Sequence, residues 1–358
     1  MERLKGLILS GGRGTRLRPI THTSAKQLVP VANRPVLFYG IEAMAHAGID
    51  EVGIIIAPET GEEISEATGD GSQFGVKITY IVQDEPAGLA HAVLTAEPFL
   101  GVDPFVMYLG DNFLREGIKG FVTEFETHRP DAQILLVPVP NPQDFGVAEL
   151  KGSEVSRLEE KPKSPRSNLA LVGVYMFTSS VWDAVDGIKP SKRGELEITD
   201  ALQWLIDHGK TVRSHVITGW WKDTGKLEDM LEANRMAMSH WESRIDGSID
   251  AASIVEGAVV VEKGARVVRS RLRGPLVIGP DVTIEDSYIG PFSAIAEGVR
   301  ILRSEVEHSI VLERSVIADV PTRIDSSLIG KDVVVTCSPD RPRAHHIMVG
   351  DSSRVELA

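Results

Sequence analysis

The first two thirds of the chain alternate between two hydrophobic patterns. Short runs rich in valine, isoleucine and leucine occur at Leu7–Leu9, Val52–Ala57, Ile78–Val82, Phe105–Leu109 and Ile134–Val137. Runs so short and so continuously apolar predict strands covered on both faces. Between them lie stretches of helical spacing. Pro35 suits the first turn of a helix that passes through Phe38, Ile41, Met44 and Ala45 and stops at Gly48. Further helices are predicted over Leu89–Leu100, around Phe121–Phe125 and from about Leu227 to Trp241, and one more strand over Val212–Ile217. This alternation predicts an α/β fold with a Rossmann-like, doubly wound mixed sheet, mostly parallel. Ligands of such sheets gather outside the carboxyl ends of the strands.

From Ser248 the pattern changes to short β-branched runs with glycine and proline. Residues 276–305 divide into the hexads LVIGPD, VTIEDS, YIGPFS, AIAEGV and RILRSE. Aliphatic residues recur every six positions at Ile254, Val260, Leu272, Ile278 and Ile284, at Ile289, Ile295 and Ile301, and at Ile310, Val316, Leu328 and Val334. Arg266 and Thr322 interrupt the series, and its phase slips. A six-residue period over many repeats predicts a parallel β-helix rather than an ordinary antiparallel β domain. The Ile-Gly pairs at 278–279, 289–290 and 329–330 suit its corners. The expected division is an α/β domain over 1–240, a hexapeptide-repeat domain over 246–336, and a tail over 337–358, irregular with a final short strand.

A length of 358 residues agrees with two domains, and 42% hydrophobic with 25% charged residues is a globular composition. A formal net charge of -13 repels nucleic acid and anionic membranes, so neither is an expected partner, and any phosphate site needs locally placed cations. The single cysteine, Cys337, excludes a disulfide within the chain. Leu7-Ile8-Leu9 is too short for a secretion signal and no stretch is long enough to span a bilayer, so the expected compartment is the cytoplasm.

Locally placed cations occur at once. The run ending at Leu9 leads into Ser10-Gly11-Gly12-Arg13-Gly14-Thr15-Arg16-Leu17-Arg18-Pro19. Glycines after a buried strand let backbone N–H groups turn toward phosphate oxygens. Arg13, Arg16 and Arg18 add fixed charge, and Lys26 lies within reach. The loop matches neither the Walker pattern nor the dinucleotide GxGxxG. By itself it could be a tight turn; the basic residues favour phosphate.

Six motifs resemble the sugar-phosphate nucleotidyltransferases. They are GGRGTRLRPIT with Lys26-Gln27-Leu28, Gln83 with Pro86-x-Gly88-Leu89-Ala90, Gly110-Asp111-Asn112, Phe145-Gly146-Val147, Glu159-Glu160-Lys161-Pro162, and Trp221-x-Asp223-Thr224-Gly225. The likeness runs along roughly the first 240 residues, and Lys26-Gln27 resembles the glucose-1-phosphate thymidylyltransferase branch. Its longer members carry a left-handed parallel β-helix.

The resemblance implies in-line attack of glucose 1-phosphate on the α-phosphorus of dTTP, with magnesium. Asp111 and Asp223 would bind the ion. Arg16, Lys26 and Asp111 would be the catalytic residues. Leu9, Gly11, Gly12, Gly14, Thr15, Gln83, Gly88 and Asn112 would bind the nucleotide, with the Gln83 amide meeting N3–H and O4 of thymine. Gly146, Glu160, Lys161 and Val172 would bind the sugar phosphate. Tyr175 reads as core, and Trp220-Trp221 as packing behind Asp223. His91 departs from the glutamine found in many shorter members. Uracil shows the same edge as thymine, which leaves a UTP-using uridylyltransferase as the rival, with an acyltransferase-like C-terminal domain for which His308 is the one base candidate among the hexads. A catalytically silent scaffold is the rival from another class, against which Asp111, Arg16 and Lys26 all stand. The β-helix and wide sheet favour a homo-oligomer.

Overall fold

A computed structural model describes residues 3–12, 14–22, 24–217, 219–337 and 345–357. Arg13 and residues 338–344 of the expected tail lie outside them. By packing, the chain divides into two compact units: 1–13, 24–28 and 36–223 form the first, and 14–23, 29–35 and 224–358 the second.

The first unit is built on a nine-stranded sheet. In chain order its elements are β1 (Lys5–Leu9), α1 (Val36–His46), β2 (Glu51–Ile56), α2 (Gly61–Thr68), β3 (Lys77–Val82), α3 (Leu89–Thr95), β4 (Phe105–Leu109), β5 (Asn112–Leu114), α4 (Lys119–His128), β6 (Ala132–Pro138), β7 (Gly146–Lys151), β8 (Glu154–Glu160), β9 (Leu169–Phe177), α5 (Val181–Gly187), α6 (Ile198–Asp207), β10 (Val212–Val216) and β11 (Trp221–Asp223). The strand order is β3-β2-β1-β4-β9-β6-β10-β8-β7. β1 pairs in parallel with both β2 and β4. The order reverses at β1, so a crevice is expected at its carboxyl end.

The sheet is parallel over the half containing β1 to β4 and largely antiparallel beyond it, because β9 runs against β4, β6 and β7 and β8 runs against β7 and β10. The parallel share is therefore smaller than the sequence pattern predicts. Apolar side chains cover both faces, in one cluster around Leu7, Phe105 and Leu202 and another around Ile8, Ile41 and Val106. That is why β1, β2 and β4 are continuous apolar runs. The helix predicted over Leu89–Leu100 is interrupted at Ala96.

In the second unit, three stacks of parallel strands, two of six and one of five, form the left-handed β-helix. Its core is a column of Val, Ile and Leu that includes Val261, Leu272, Ile284, Ile301 and Ile317. Successive coils take 16 to 18 residues, not a constant 18. This accounts for the slip in the hexads: Arg266 is exposed and its neighbour Val267 points inward, 1% exposed. Ile254 and Val334, expected in the core, are exposed. The corner residues with positive φ include Asp281, Asp286, Arg303 and Asp319, while Gly279 and Gly290 are absent from that set. Those two glycines answer to crowding instead: a Cβ on Gly279 would stand 2.9 Å from the Ile295 carbonyl oxygen. Residues 345–357 form no strand.

The helix α7 (Leu227–Met238) groups with this second unit. Asn234, wholly buried, explains part of that grouping. Its amide oxygen accepts from the Ala32 N–H (2.8 Å) and its amide N–H donates to the Phe292 carbonyl (2.8 Å).

A serine ladder lines one corner. Ser253, Ser270 and Ser287 each accept from the backbone N–H seventeen residues on, at 3.0–3.2 Å. Ser287→Ala leaves the buried Ser304 N–H without its acceptor. The expected loss is about 1–3 kcal/mol of unfolding free energy, read from the urea midpoint of the β-helix transition.

Candidate active site

The carboxyl end of β1 is held from both sides. The Ser10 N–H donates to the Ile55 carbonyl (2.8 Å) and the Gly110 N–H to the Leu9 carbonyl (2.9 Å). A Cβ on Gly12 would stand 2.8 Å from Lys26 Cε. Glycine at 12 therefore lets the lysine lie across the loop. Lys26 opens the single turn Lys26–Leu28. Glu63 of α2 anchors that turn, accepting from the Ala25 N–H (2.6 Å) and from the Ser24 hydroxyl. Nothing in the motif pattern pointed to Glu63.

Lys26 forms an ion pair with Asp111 just beyond β4. Asp111 is 9% exposed. Burial pushes its carboxyl up, but the charge and hydrogen bond of Lys26, with the Asn112 amide, outweigh burial and hold it below the usual carboxylate range. Asn112 donates to Asp111 Oδ1 (3.0 Å), while its own oxygen accepts from Trp221 Nε1 (2.6 Å) and the Gly173 N–H (3.3 Å). Its amide is thus committed to holding Asp111, β9 and β11 together. β11 runs antiparallel to β5, with Asp223 directly across from Asn112. Directly opposed residues in such a ladder stand about 4.5–5.5 Å apart at Cα. The ribbon therefore brings the backbones of Asp111 and Asp223, remote in sequence, to one place. Nearby, Ser10 Oγ and Gln27 Oε1 are buried without a hydrogen-bond partner among the described residues.

On the other side of the glycine loop stands Gln83, at the end of β3. Its Nε2 meets His91 Nδ1 (2.9 Å) and faces the Gly88 carbonyl (3.5 Å), and its Oε1 lies 3.4 Å from where a Gly11 Cβ would be. Gly88 has φ 108°, and a Cβ there would run into the backbone of Leu196. The fold itself demands this glycine, apart from any room it leaves for a ligand.

The residues expected at the sugar phosphate also converge. Gly146 and Glu160 are partners across β7 and β8. Glu160 accepts from Thr199 Oγ1 (2.8 Å) and forms ion pairs with Arg193 (3.4 Å) and Lys161 (3.8 Å). Arg193 forks onto Glu197, both contacts at 2.8 Å. Thr199, Arg193 and Glu197 escaped sequence reading because they belong to no motif, and Thr199 and Arg193 meet Glu160 only through tertiary packing. The Val172 side chain is fully buried in the core, so only its backbone is available to a ligand. Tyr175 is core, as read, and Trp221 also packs edge-on against Phe145.

Gly14, Thr15 and Arg16 fall in the second unit. The turn Thr15–Leu17 is pinned by buried Leu17 and by the Gly14 carbonyl, which accepts from the Leu17 N–H (3.0 Å) and Thr21 Oγ1 (2.7 Å). Arg16 itself is exposed and makes no ion pair among the described residues.

Residues 5–240 match the family profile described as nucleotidyl transferase. The chain belongs to the nucleotidyl transferase family. Over 356 residues this transferase is 55% identical to a glucose-1-phosphate thymidylyltransferase of Streptomyces griseus, covering 99% of this chain and 100% of the relative. It is 56% identical to one of Streptomyces antibioticus, at 99% coverage of each chain. A solved Bacillus anthracis chain assigned as a glucose-1-phosphate thymidylyltransferase superposes with a TM-score of 0.62 at 38% identity, covering 65% of this transferase and 95% of that chain. No helix among the described residues is long and apolar enough to cross a membrane.

Proposed function

We propose that this nucleotidyl transferase joins dTTP to glucose 1-phosphate, forming dTDP-glucose and releasing pyrophosphate. The observation that carries the chemistry is the ribbon that brings Asp111 and Asp223 together beside Lys26 and the glycine loop. The substrates follow from the full-length likeness to the Streptomyces thymidylyltransferases.

The nucleophile is a phosphate oxygen, already ionised near neutrality because its second pKa is about 6. No general base is needed. The site must align two anions and compensate charge as the bond to pyrophosphate breaks. Among the described residues no group of three or more His, Cys, Asp or Glu side chains is placed to hold a metal, and a pair of carboxylates suits magnesium, which takes one or two carboxylates and keeps its remaining oxygens from water and phosphate. Asp111 and Asp223 would hold the ion, which would supply positive charge to offset the negative charge of the phosphates. Lys26, paired with Asp111 in the free protein, would turn its ammonium to the phosphates, and Arg16 would fork onto them. Asn112 would act by fixing Asp111 rather than by touching nucleotide. Glu160 would accept from sugar hydroxyls, and Lys161 would pair with the sugar phosphate.

Catalysis would reside in residues 1–240, with the β-helix over 246–336 in structure or self-association and the enzyme working in the cytoplasm as a homo-oligomer. Among the described residues, the ring of His308, the acyltransferase candidate, meets Ser326 (3.2 Å) and packs edge-on with Phe292, with no acyl-transfer constellation around it.

The deciding experiment is pyrophosphate release with dTTP or UTP against several sugar 1-phosphates. The expected result is fastest turnover for dTTP with glucose 1-phosphate and none after chelation of magnesium. Preference for UTP would overturn the thymidylyl assignment.

A further inference from the structure

We propose that Glu63 is a positioning residue for Lys26: it fixes the turn that carries the lysine, so that the ammonium can reach the reacting phosphates. This rests on the reading of Lys26 as a residue that offsets charge during transfer.

The observation is one carboxylate divided between two successive residues. Glu63 Oε2 accepts from the Ala25 N–H (2.6 Å) and Oε1 from the Ser24 hydroxyl. These are the two residues immediately before Lys26. The turn they lead into has little strength of its own. It spans Lys26–Leu28 and is closed by the Leu28 N–H donating to the Ala25 carbonyl (2.9 Å). So short a turn, with poor hydrogen-bond geometry, is weakly held. The helix α2 is firmly seated by comparison. Ile64, next to Glu63, is fully buried in the apolar cluster around Ile8 and Ile54, and a Cβ on Gly61 would stand 2.7 Å from Ile56 Cδ1. Glu63 also lies in the first turn of α2, where the helix dipole favours a carboxylate. It therefore ties a weak turn to a fixed helix remote from it in sequence.

Lys26 is thus held at both ends. Glu63 fixes its backbone, Asp111 pairs with its ammonium, and the stem between them crosses Gly12. In the proposed reaction the ammonium turns from Asp111 to the phosphates. It is a compact charge on a flexible four-carbon stem. Once the tip is released, the base of the stem decides where the charge can go. A misplacement of about 1 Å can cost on the order of a hundredfold in rate. The effect of Glu63 on turnover therefore passes through Lys26.

The test is kcat and KM for pyrophosphate release from dTTP with glucose 1-phosphate and magnesium, in the parent, E63A, E63Q, K26A and the double variant E63A/K26A. E63A is expected to lower kcat about tenfold or more, with KM for both substrates within about twofold of the parent's. In E63Q the amide oxygen can accept from the Ala25 N–H while its NH2 donates to Ser24 Oγ, and kcat is expected to return toward the parent's. The double variant is expected to be no slower than K26A, because the lysine that Glu63 positions is already gone. A merely structural role would slow both backgrounds alike. E63D, which keeps the charge but is too short to keep both contacts, replaces E63A in both backgrounds if circular dichroism finds that variant unfolded. A parent-like kcat in E63A or E63D, a kcat in E63Q as low as in E63A, or losses that multiply in the double variant overturn the inference and leave the role of Lys26 standing. A parent-like kcat in K26A overturns both.

Discussion

Replacing Asp111 by asparagine is expected to lower kcat by on the order of a thousandfold or more, with the circular dichroism spectrum unchanged. Asparagine keeps the shape and can still accept from Asn112, so the ribbon that carries Asp223 stays in place. What is lost is the negative charge, and with it both the partner of Lys26 and one of the two carboxylates proposed to hold a divalent ion. Lys26→Ala should also be severely impaired, and the double variant should lose far less than the product of the two single losses. Residues that act as one unit are strongly non-additive in this way. Steady-state pyrophosphate release in the four proteins checks this; simple multiplicativity would mean that the pair seen in the free protein has no bearing on turnover.

Arg16→Ala is expected to lower kcat by on the order of a hundredfold or more, comparable to removing a donor from an oxyanion hole. Here the structure separates function from stability unusually well. The turn is anchored by Leu17 and Thr21, whereas Arg16 is exposed and forms no ion pair among the described residues. Its removal should therefore leave the urea midpoint within about 0.5 kcal/mol of the parent's. A change in KM alone would assign Arg16 to ground-state binding.

The strands of the parallel half and the helix after Pro35 were legible because both faces of the sheet are buried, which writes continuous apolar runs into the sequence. The distal strands were harder. β7 and β8 mix exposed Lys151 and Glu159 with buried Val147 and Leu158, and besides pairing with each other they meet β9 and β10. The β-helix was legible from its period, but coils of 16 to 18 residues could not be placed by counting sixes, and at the interruption marked by Arg266 it is Val267 that fills the core.

At the site, the motifs supplied Lys26, Asp111, Gln83 and Glu160. The groups that hold them in place, Glu63, His91 and Thr199, come from other elements and met them only through packing. His91 appeared in the sequence merely as a departure from a pattern. Its hydrogen bond to Gln83 gives that departure a physical meaning.

The central claim is that Asp111 and Asp223 together hold one divalent ion. Manganese, which shares magnesium's preference for oxygen ligands, can be titrated into the protein with dTTP present and followed by electron paramagnetic resonance. The account predicts one site in the parent, weakened at least about tenfold in both Asp111→Asn and Asp223→Asn. Parent-like manganese affinity in either variant would contradict it.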